Sequence, residues 1–77
     1  LLYEEGTMSF IKKGIYRHYK GNLYEVIDIA RHSESLEDMV VYRALYGDFK
    51  LWVRPLKMFL ENIEINGEIQ KRFELNE

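Results

Sequence analysis

Apolar and polar residues alternate over short stretches of this chain, and turn-forming residues separate the stretches, which is typical of a β-rich domain. Residues 15–19 and 23–30 are rich in aromatic and β-branched side chains, and the Lys-Gly-Asn sequence at 20–22 favours a turn between them. Residues 31–38 are polar and predict an exposed loop. The first half of the chain therefore predicts a β-hairpin followed by a loop.

The middle of the chain repeats this alternation of strands and turns. Residues 39–45 and 49–54 predict two more strands, with the Tyr-Gly-Asp sequence at 46–48 as the turn. Pro55 is the only proline and ends the fourth strand, because it has no N–H group to donate to a central ladder. Proline also suits the start of a helix, and the apolar residues after it recur at helical spacing. We therefore predict a short helical turn over residues 55–60.

The end of the chain predicts a further hairpin. Ile63 and Ile65 precede the Asn-Gly pair at 66–67, which is the strongest short signal for a two-residue hairpin turn, and residues 69–73 form the returning strand. Short strands at this even spacing favour a barrel or sandwich, because a single sheet of this size leaves one face in water. We predict a mainly all-β fold: a small SH3-like β-barrel of five to six short antiparallel strands with one short helical turn.

The length of 77 residues suits one domain. Aromatic residues make up 14% of the chain, so a few large side chains can supply much of a small core. Met8 and Ser9 resemble a translation start, and we expect residues 1–7 to be an added or flexible extension of a single domain over residues 8–77. Cysteine and long apolar stretches are absent from the sequence, so we expect a cytoplasmic protein without membrane contact.

Charge is unevenly distributed along the chain. The net charge is −2, and Glu4 and Glu5 account for the excess of acids, so residues 8–77 are neutral. A neutral domain is not typical of a general nucleic-acid binder, which carries a clear basic excess. A local basic patch remains open, because residues 10–20 contain four bases and no acid. These bases are Lys12, Lys13, Arg17 and Lys20.

A group of aromatic and basic residues is the strongest candidate for a binding site. Arginine pairs with carboxylates and phosphates through its planar fork, and tryptophan or tyrosine stacks on planar groups. Together these residue types favour a ligand that is anionic, aromatic or both. The ligand-binding candidates are Arg31, His32, Tyr42, Arg43, Tyr46, Trp52 and Arg54.

The period of a strand tests part of this group. Trp52 and Arg54 share one face of the fourth strand and two aliphatic residues share the other, so one pair is expected to face outward. The structural alternative places Trp52 in the core, where aromatic residues of small domains usually lie. Arg54 then forms an ion pair at the rim with Glu61 or Asp48.

Arg43 lies in a predicted strand whose two faces are both largely apolar. Burial of an unpaired charge is too costly, so its guanidinium must be paired or line a cleft. A structural ion pair with Glu25 or Asp28 is favoured over contact with a ligand, because such pairs are common.

Histidine and acidic residues give no pattern for a metal or a reaction. His18 and His32 each stand without a second ligand one strand step or one helical turn away, so we expect no metal and no cofactor. Residues 31–34 read Arg-His-Ser-Glu, but catalytic groups are recognised by geometry and not by adjacency. We expect no catalytic residue there, and a turn organised by Ser33 and Glu34.

Several motifs occur in a fixed order: GIYRHYKG at 14–21, ARHSE at 30–34, VVYRALYG at 40–47, LWVRP at 51–55 and MF at 58–59. Together they resemble a bacterial family called domain of unknown function 1653 (DUF1653), over residues 14–73. The resemblance implies a short stand-alone bacterial domain with no assigned reaction. The family's Pro-Arg-Phe near the end is Lys-Arg-Phe at 71–73 here, which leaves the role of a rigid turn open.

We expect a non-catalytic binding module for an anionic or aromatic ligand, a peptide or a short RNA, because small barrels usually bind partners without reacting with them. One alternative is a small enzyme that uses His32 with Arg43 or Arg54 on a phosphorylated metabolite. Another is a protein–protein interaction subunit whose exposed strand edge forms a homodimer. The RNA hypothesis requires the bases of residues 12–20 to share a face with Arg31 and Trp52.

Overall fold

The computed structural model describes residues 11–76, so the expected extension over residues 1–7 lies outside the described residues. The described part contains seven strands and one short helix. The strands are β1 (Gly14–His18), β2 (Leu23–Arg31), β3 (Asp38–Ala44), β4 (Leu51–Pro55), β5 (Asn62–Ile65), β6 (Glu68–Lys71) and β7 (Phe73–Leu75), and the helix is α1 (Leu56–Phe59).

The strands form two antiparallel sheets. A five-stranded sheet has the order β4-β3-β2-β1-β7, and β5 and β6 form a separate hairpin. The predicted mainly-β antiparallel fold with one short helix is therefore confirmed. No closed barrel is found within residues 11–76, so the SH3-like closure stays unconfirmed. Among the described residues, β4 and β7 are the edge strands of the larger sheet.

The final hairpin confirms one turn prediction and corrects one strand. Asn66 and Gly67 have φ angles of 52° and 83°, and positive values at both central residues are those of a type I′ hairpin turn. The strand predicted over residues 69–73 divides, because β6 ends at Lys71 and Phe73 pairs with β1 in the other sheet. The reason is burial: Phe73 is almost fully buried, whereas β6 is exposed along its whole length.

The core lies on one side of the five-stranded sheet. Cross-strand register places Tyr16, Val26 and Tyr42 on one face, which we call the inner face, and all three are buried. Phe59 of α1 packs against this face and stacks on Phe73, with ring centroids 4.0 Å apart. Each large apolar side chain buried in this way stabilises the fold by about 1.5–3 kcal/mol.

Pro55 and α1 cover part of the inner face. Pro55 lies at the N-terminal cap of α1, as the predicted helical turn requires, and Leu56 and Phe59 are the buried residues of the helix. No helix among the described residues has the length or the apolar character that a membrane span needs.

Candidate ligand-binding site

The inner face is left uncovered at β4, which forms one edge of the sheet. Trp52 pairs with Tyr42 and Arg54 pairs with Val40, so both side chains lie on the inner face. Trp52 is nevertheless 53% exposed, which excludes it from the core. Leu51 and Val53 are the pair that faces outward, as the period of the strand requires of one pair, and both are also exposed. Among residues 11–76, α1 contacts β4 but leaves Trp52 and the two outer-face side chains exposed.

An aromatic pocket opens at this uncovered end, with a volume of about 180 Å³. We use the name aromatic pocket for the space lined by Tyr24, Tyr42, Tyr46, Trp52 and Arg54. Four of the seven sequence candidates therefore come together in one place. Tyr24 was missed, although its position on β2 two residues before the buried Val26 places it on the same face.

Tyr24 and Tyr46 hold each other in place across the pocket. Their hydroxyl oxygens lie 2.7 Å apart, and their rings pack edge to face with centroids 5.6 Å apart. Burial raises the pKa of Tyr24 to about 12, and the hydrogen bond to Tyr46 contributes to the rise. Tyr24 is therefore a neutral phenol at physiological pH, with a hydroxyl that can donate or accept.

Arg54 is the positive group of the pocket. Its Nε donates to the hydroxyl of Tyr42 at 3.2 Å, and its guanidinium carbon lies 5.6 Å from the ring centroid of Phe73. Neither Glu61 nor Asp48 is its partner, contrary to the structural alternative, and Glu61 pairs with Arg72 at 3.0 Å instead. Within residues 11–76, Arg54 forms no ion pair, which leaves most of its donors available.

His18 is a second residue near the pocket that was not among the predicted ligand-binding candidates. It lies on the inner face of β1, and its ring centroid is 4.9 Å from that of Phe73, the same ring that Arg54 covers. Burial lowers the pKa of His18, and neighbouring positive charges lower it further. These charges belong to Arg54, Arg72 and Lys20. The end of the inner face near the pocket therefore has a positive local field.

Arg43 does not join the aromatic pocket. It lies on the outer face of β3, and its Nη1 donates to the carbonyl oxygen of Phe49 at 2.9 Å. The expected pairing with Glu25 or Asp28 is wrong, although Glu25 is its cross-strand neighbour. Phe49 has a φ of 56°, a left-handed conformation that is unfavourable for a bulky residue. Arg43 thus stabilises a strained loop, and this loop also carries Tyr46.

Arg31 and His32 lie outside the pocket. Arg31 pairs with Asp38 across the β2–β3 hairpin, with 3.4 Å between Nε and Oδ1. His32 organises the loop, because its Nδ1 accepts backbone N–H groups from Glu34 and Ser35 at 3.1 and 3.3 Å. The turn expected from Ser33 and Glu34 side chains is thus formed by the imidazole. These hydrogen bonds give His32 a structural role in the loop.

The basic stretch does not gather at the pocket. Arg17 lies on the outer face of β1 and donates to Asn76, and Lys13 pairs with the outer-face Asp28 at 3.9 Å. Lys20 is the member that contributes to the field at His18. Arg17 and Lys13 therefore do not share a face with Trp52, which the RNA hypothesis requires of the basic stretch. Residues 11–76 also hold no group of three or more metal-binding side chains.

Comparison with known proteins gives one family and one solved structure. The sequence profile described as "Protein of unknown function (DUF1653)" matches residues 14–75, a range that includes every residue of the aromatic pocket. The chain is also similar to a protein from Bordetella bronchiseptica whose crystal structure is described as that of a DUF1653 protein. The two chains are 34% identical with a TM-score of 0.81, over 90% of this chain and 91% of the other. None of the curated proteins matches this sequence.

Proposed function

The chain belongs to the DUF1653 family of proteins of unknown function, and we propose that it is a binding module whose aromatic pocket takes an anionic group attached to a flat or aromatic group. The observation that carries the proposal is Arg54, a cation without an acidic partner among residues 11–76, beside a tryptophan that is 53% exposed. The bond from Arg54 Nε to the hydroxyl of Tyr42 uses one donor of the guanidinium, so the rest of the fork can contact a ligand.

The chemistry of the lining favours an anion over a cation. Cages of tyrosine and tryptophan can bind quaternary ammonium groups, because the ring faces carry negative potential. Arg54 lies among these rings and repels such a ligand, and the cations that lower the pKa of His18 add to this repulsion. A carboxylate or phosphate gains charge-assisted hydrogen bonds from the free part of the guanidinium fork.

The size of the pocket limits what it can hold. Sites for drug-sized ligands have volumes of roughly 300–1,000 Å³, whereas the aromatic pocket has about 180 Å³. One ring or one acidic side chain fits this space. The proposal is therefore recognition of a single small anionic or flat group that belongs to a larger partner or to a small metabolite.

Two observations disfavour the enzyme hypothesis. His32, its proposed base, uses Nδ1 to hold a turn, and Arg43, one of its proposed anion contacts, lies on the outer face of the sheet. The pocket offers Arg54 and tyrosine hydroxyls, of which Tyr24 has a pKa of about 12. Such a hydroxyl is a poor general base near neutral pH, because the best catalytic pKa lies close to the operating pH.

The fluorescence of Trp52 provides a direct test, since it is the only tryptophan in the chain. We propose titration with benzoate, a flat carboxylate, and with tetramethylammonium, a cation of similar size. Benzoate is expected to change the emission saturably, and Arg54→Gln is expected to weaken its binding at least about tenfold, since hydrogen bonds to charged groups contribute about 1.5–3 kcal/mol.

Arg17→Gln is the matched control. It removes the same type of charge from the same sheet, but from the outer face of β1, which is separated from β4 by two strands. Its benzoate affinity is expected to equal that of the unmodified chain. Equal loss in both variants, or tighter binding of tetramethylammonium than of benzoate, contradicts the proposal.

A further inference from the structure

The backbone of β4 has an open edge next to the aromatic pocket. The N–H of Ala44 donates to the carbonyl of Lys50 at 3.0 Å, and the register of β3 and β4 continues in steps of one from that pair. Residues of an antiparallel pair alternate between hydrogen-bonded and non-hydrogen-bonded positions. Trp52 and Arg54 therefore direct their backbone groups to β3. The residues that direct theirs away from the sheet are Leu51, Val53 and Pro55.

Side-chain exposure shows that residues 11–76 leave this edge accessible. Leu51, Trp52 and Val53 are 51%, 53% and 60% exposed, respectively. Pro55 occupies an outward position, where its missing N–H costs no ladder bond. The carbonyl of Pro55, the N-terminal cap of α1, accepts the first hydrogen bond of the helix. The edge thus offers the N–H and carbonyl groups of Leu51 and Val53. This is the arrangement that an added strand requires.

We propose that an extended acidic peptide adds to β4 as a sixth strand of the larger sheet and places an acidic side chain in the aromatic pocket. This inference rests on the proposed function and names the partner that presents the anionic group. In an antiparallel pair, facing residues lie on the same side of the sheet. Peptide residues opposite Leu51 and Val53 then contact apolar outer-face side chains, and the residues between them face the pocket.

Charge favours a peptide partner of this kind over a second copy of the chain. From residue 49 to residue 60 the chain has three bases and no acid. Two β4 strands paired with each other bring like charges together, which destabilises cross-strand pairs. An acidic strand complements the same surface. Nucleic acid is disfavoured because Lys13 and Arg17 lie on the outer face and because RNA cannot use the open N–H groups as a strand does.

The geometry predicts which backbone amides of the peptide matter. A peptide residue that exchanges hydrogen bonds with Leu51 or Val53 has its side chain on the outer face, so it is an apolar residue of the peptide. The acidic residues between them have N–H groups that point away from the sheet. N-methylation should therefore weaken binding when it is made at an apolar residue of the peptide and should have little effect at an acidic residue.

The test uses acetyl-Val-Glu-Val-Glu-Val-amide with the unmodified chain, monitored by Trp52 fluorescence and by amide NMR. The expected result is saturable binding with the largest amide shifts at Leu51 and Val53. N-methylation at the central valine is expected to weaken binding about fivefold or more, since one backbone hydrogen bond is lost. N-methylation at one glutamate is the matched control and should change the affinity less than twofold. Replacement of both glutamates by glutamine should weaken binding at least about tenfold.

Failure of this inference is distinguishable from failure of the proposed function. Equal affinities of the two methylated peptides, with benzoate still bound in the pocket, overturn strand addition and leave the pocket proposal in place. Loss of binding by benzoate and peptide alike overturns both. Tighter binding of a six-nucleotide oligouridine than of the peptide also overturns the inference. A stable dimer in solution with Leu51 and Val53 amides protected from exchange overturns it in favour of self-pairing.

Discussion

The inner face of the larger sheet has two ends that use the same kind of side chain for different purposes. At the covered end, Phe59 and Phe73 stack under α1 and are almost fully buried. At the open end, Tyr46 and Trp52 are 43% and 53% exposed around the aromatic pocket. Both ends belong to one continuous cluster of rings. The difference is whether another element lies over them.

The residue types match this division. Phe59 and Phe73 bring no polar atom that burial would leave unsatisfied, and Tyr16, which packs against Phe59, donates its hydroxyl to the carbonyl of Lys12 at 2.6 Å. The open end has tyrosine, tryptophan and arginine, each with an apolar body and a polar tip. These residues can contact the core on one side and present hydrogen-bonding groups to water or a ligand on the other. The comparison teaches that aromatic content alone does not separate core from site.

The largest expected effect that separates the two ends is on stability. Phe59→Ala should lower the free energy of unfolding by about 3–5 kcal/mol, because it leaves a cavity under α1. Trp52→Ala should lower it by about 1 kcal/mol or less, because half of the indole is already in water. Urea unfolding followed by circular dichroism measures both. If Phe59→Ala does not fold, Phe59→Leu provides the comparison. Equal losses for the two sites would show that Trp52 belongs to the core.

Tyr24 lies between the two ends, and the free energy of unfolding should depend on pH through its hydroxyl. Its pKa is about 12 in the folded chain and 10.0 for the unperturbed side chain, so folding favours the protonated phenol. The stabilisation from this group is complete below pH 10 and is lost as the pH rises from about 10 to 12. Tyr24→Phe should therefore reduce the slope of the free energy of unfolding against pH in this window. An unchanged slope would contradict the assignment.

The smallest expected effect tests the field at the open end. Arg54 is one of the cations that lower the pKa of His18. Arg54→Gln should raise this pKa slightly at low salt, whereas Arg17→Gln on the outer face should leave it unchanged. NMR titration of the imidazole protons measures both, with His32→Asn to assign the signals. A pKa of His18 that does not respond to Arg54→Gln would argue against a positive pocket.

Much of the fold could be predicted because strand signals are local. The first hairpin, the alternation of β3 and the Asn-Gly turn follow from period and turn chemistry, and the structure has all three. The path of residues 69–73 could not be predicted in the same way. Ile69 and Phe73 are both apolar residues of one predicted strand. Phe73 nevertheless pairs with β1, because its buried position against Phe59 is formed by elements that are distant in the chain.

The site was predictable in part for the same reason. Tyr42, Trp52 and Arg54 share a face through the simple alternation of two neighbouring strands. His32 and Arg43 were misleading, because their structural bonds are to backbone carbonyl and N–H groups that no sequence pattern reveals. Tyr24 and His18 come from strands further along the sheet, and only the strand order places them beside the other residues.

The sequence by itself therefore determined where the strands lie and which side chains of each strand share a face, since both depend on a period of two residues. Only the tertiary structure decided which part of that face is covered. Coverage depends on how far α1 extends over the sheet, and this is fixed by packing between residues that are distant in the chain, such as Phe59 and Phe73. The exposed position of Trp52, and the lack of an acidic partner for Arg54 among residues 11–76, are consequences of that packing.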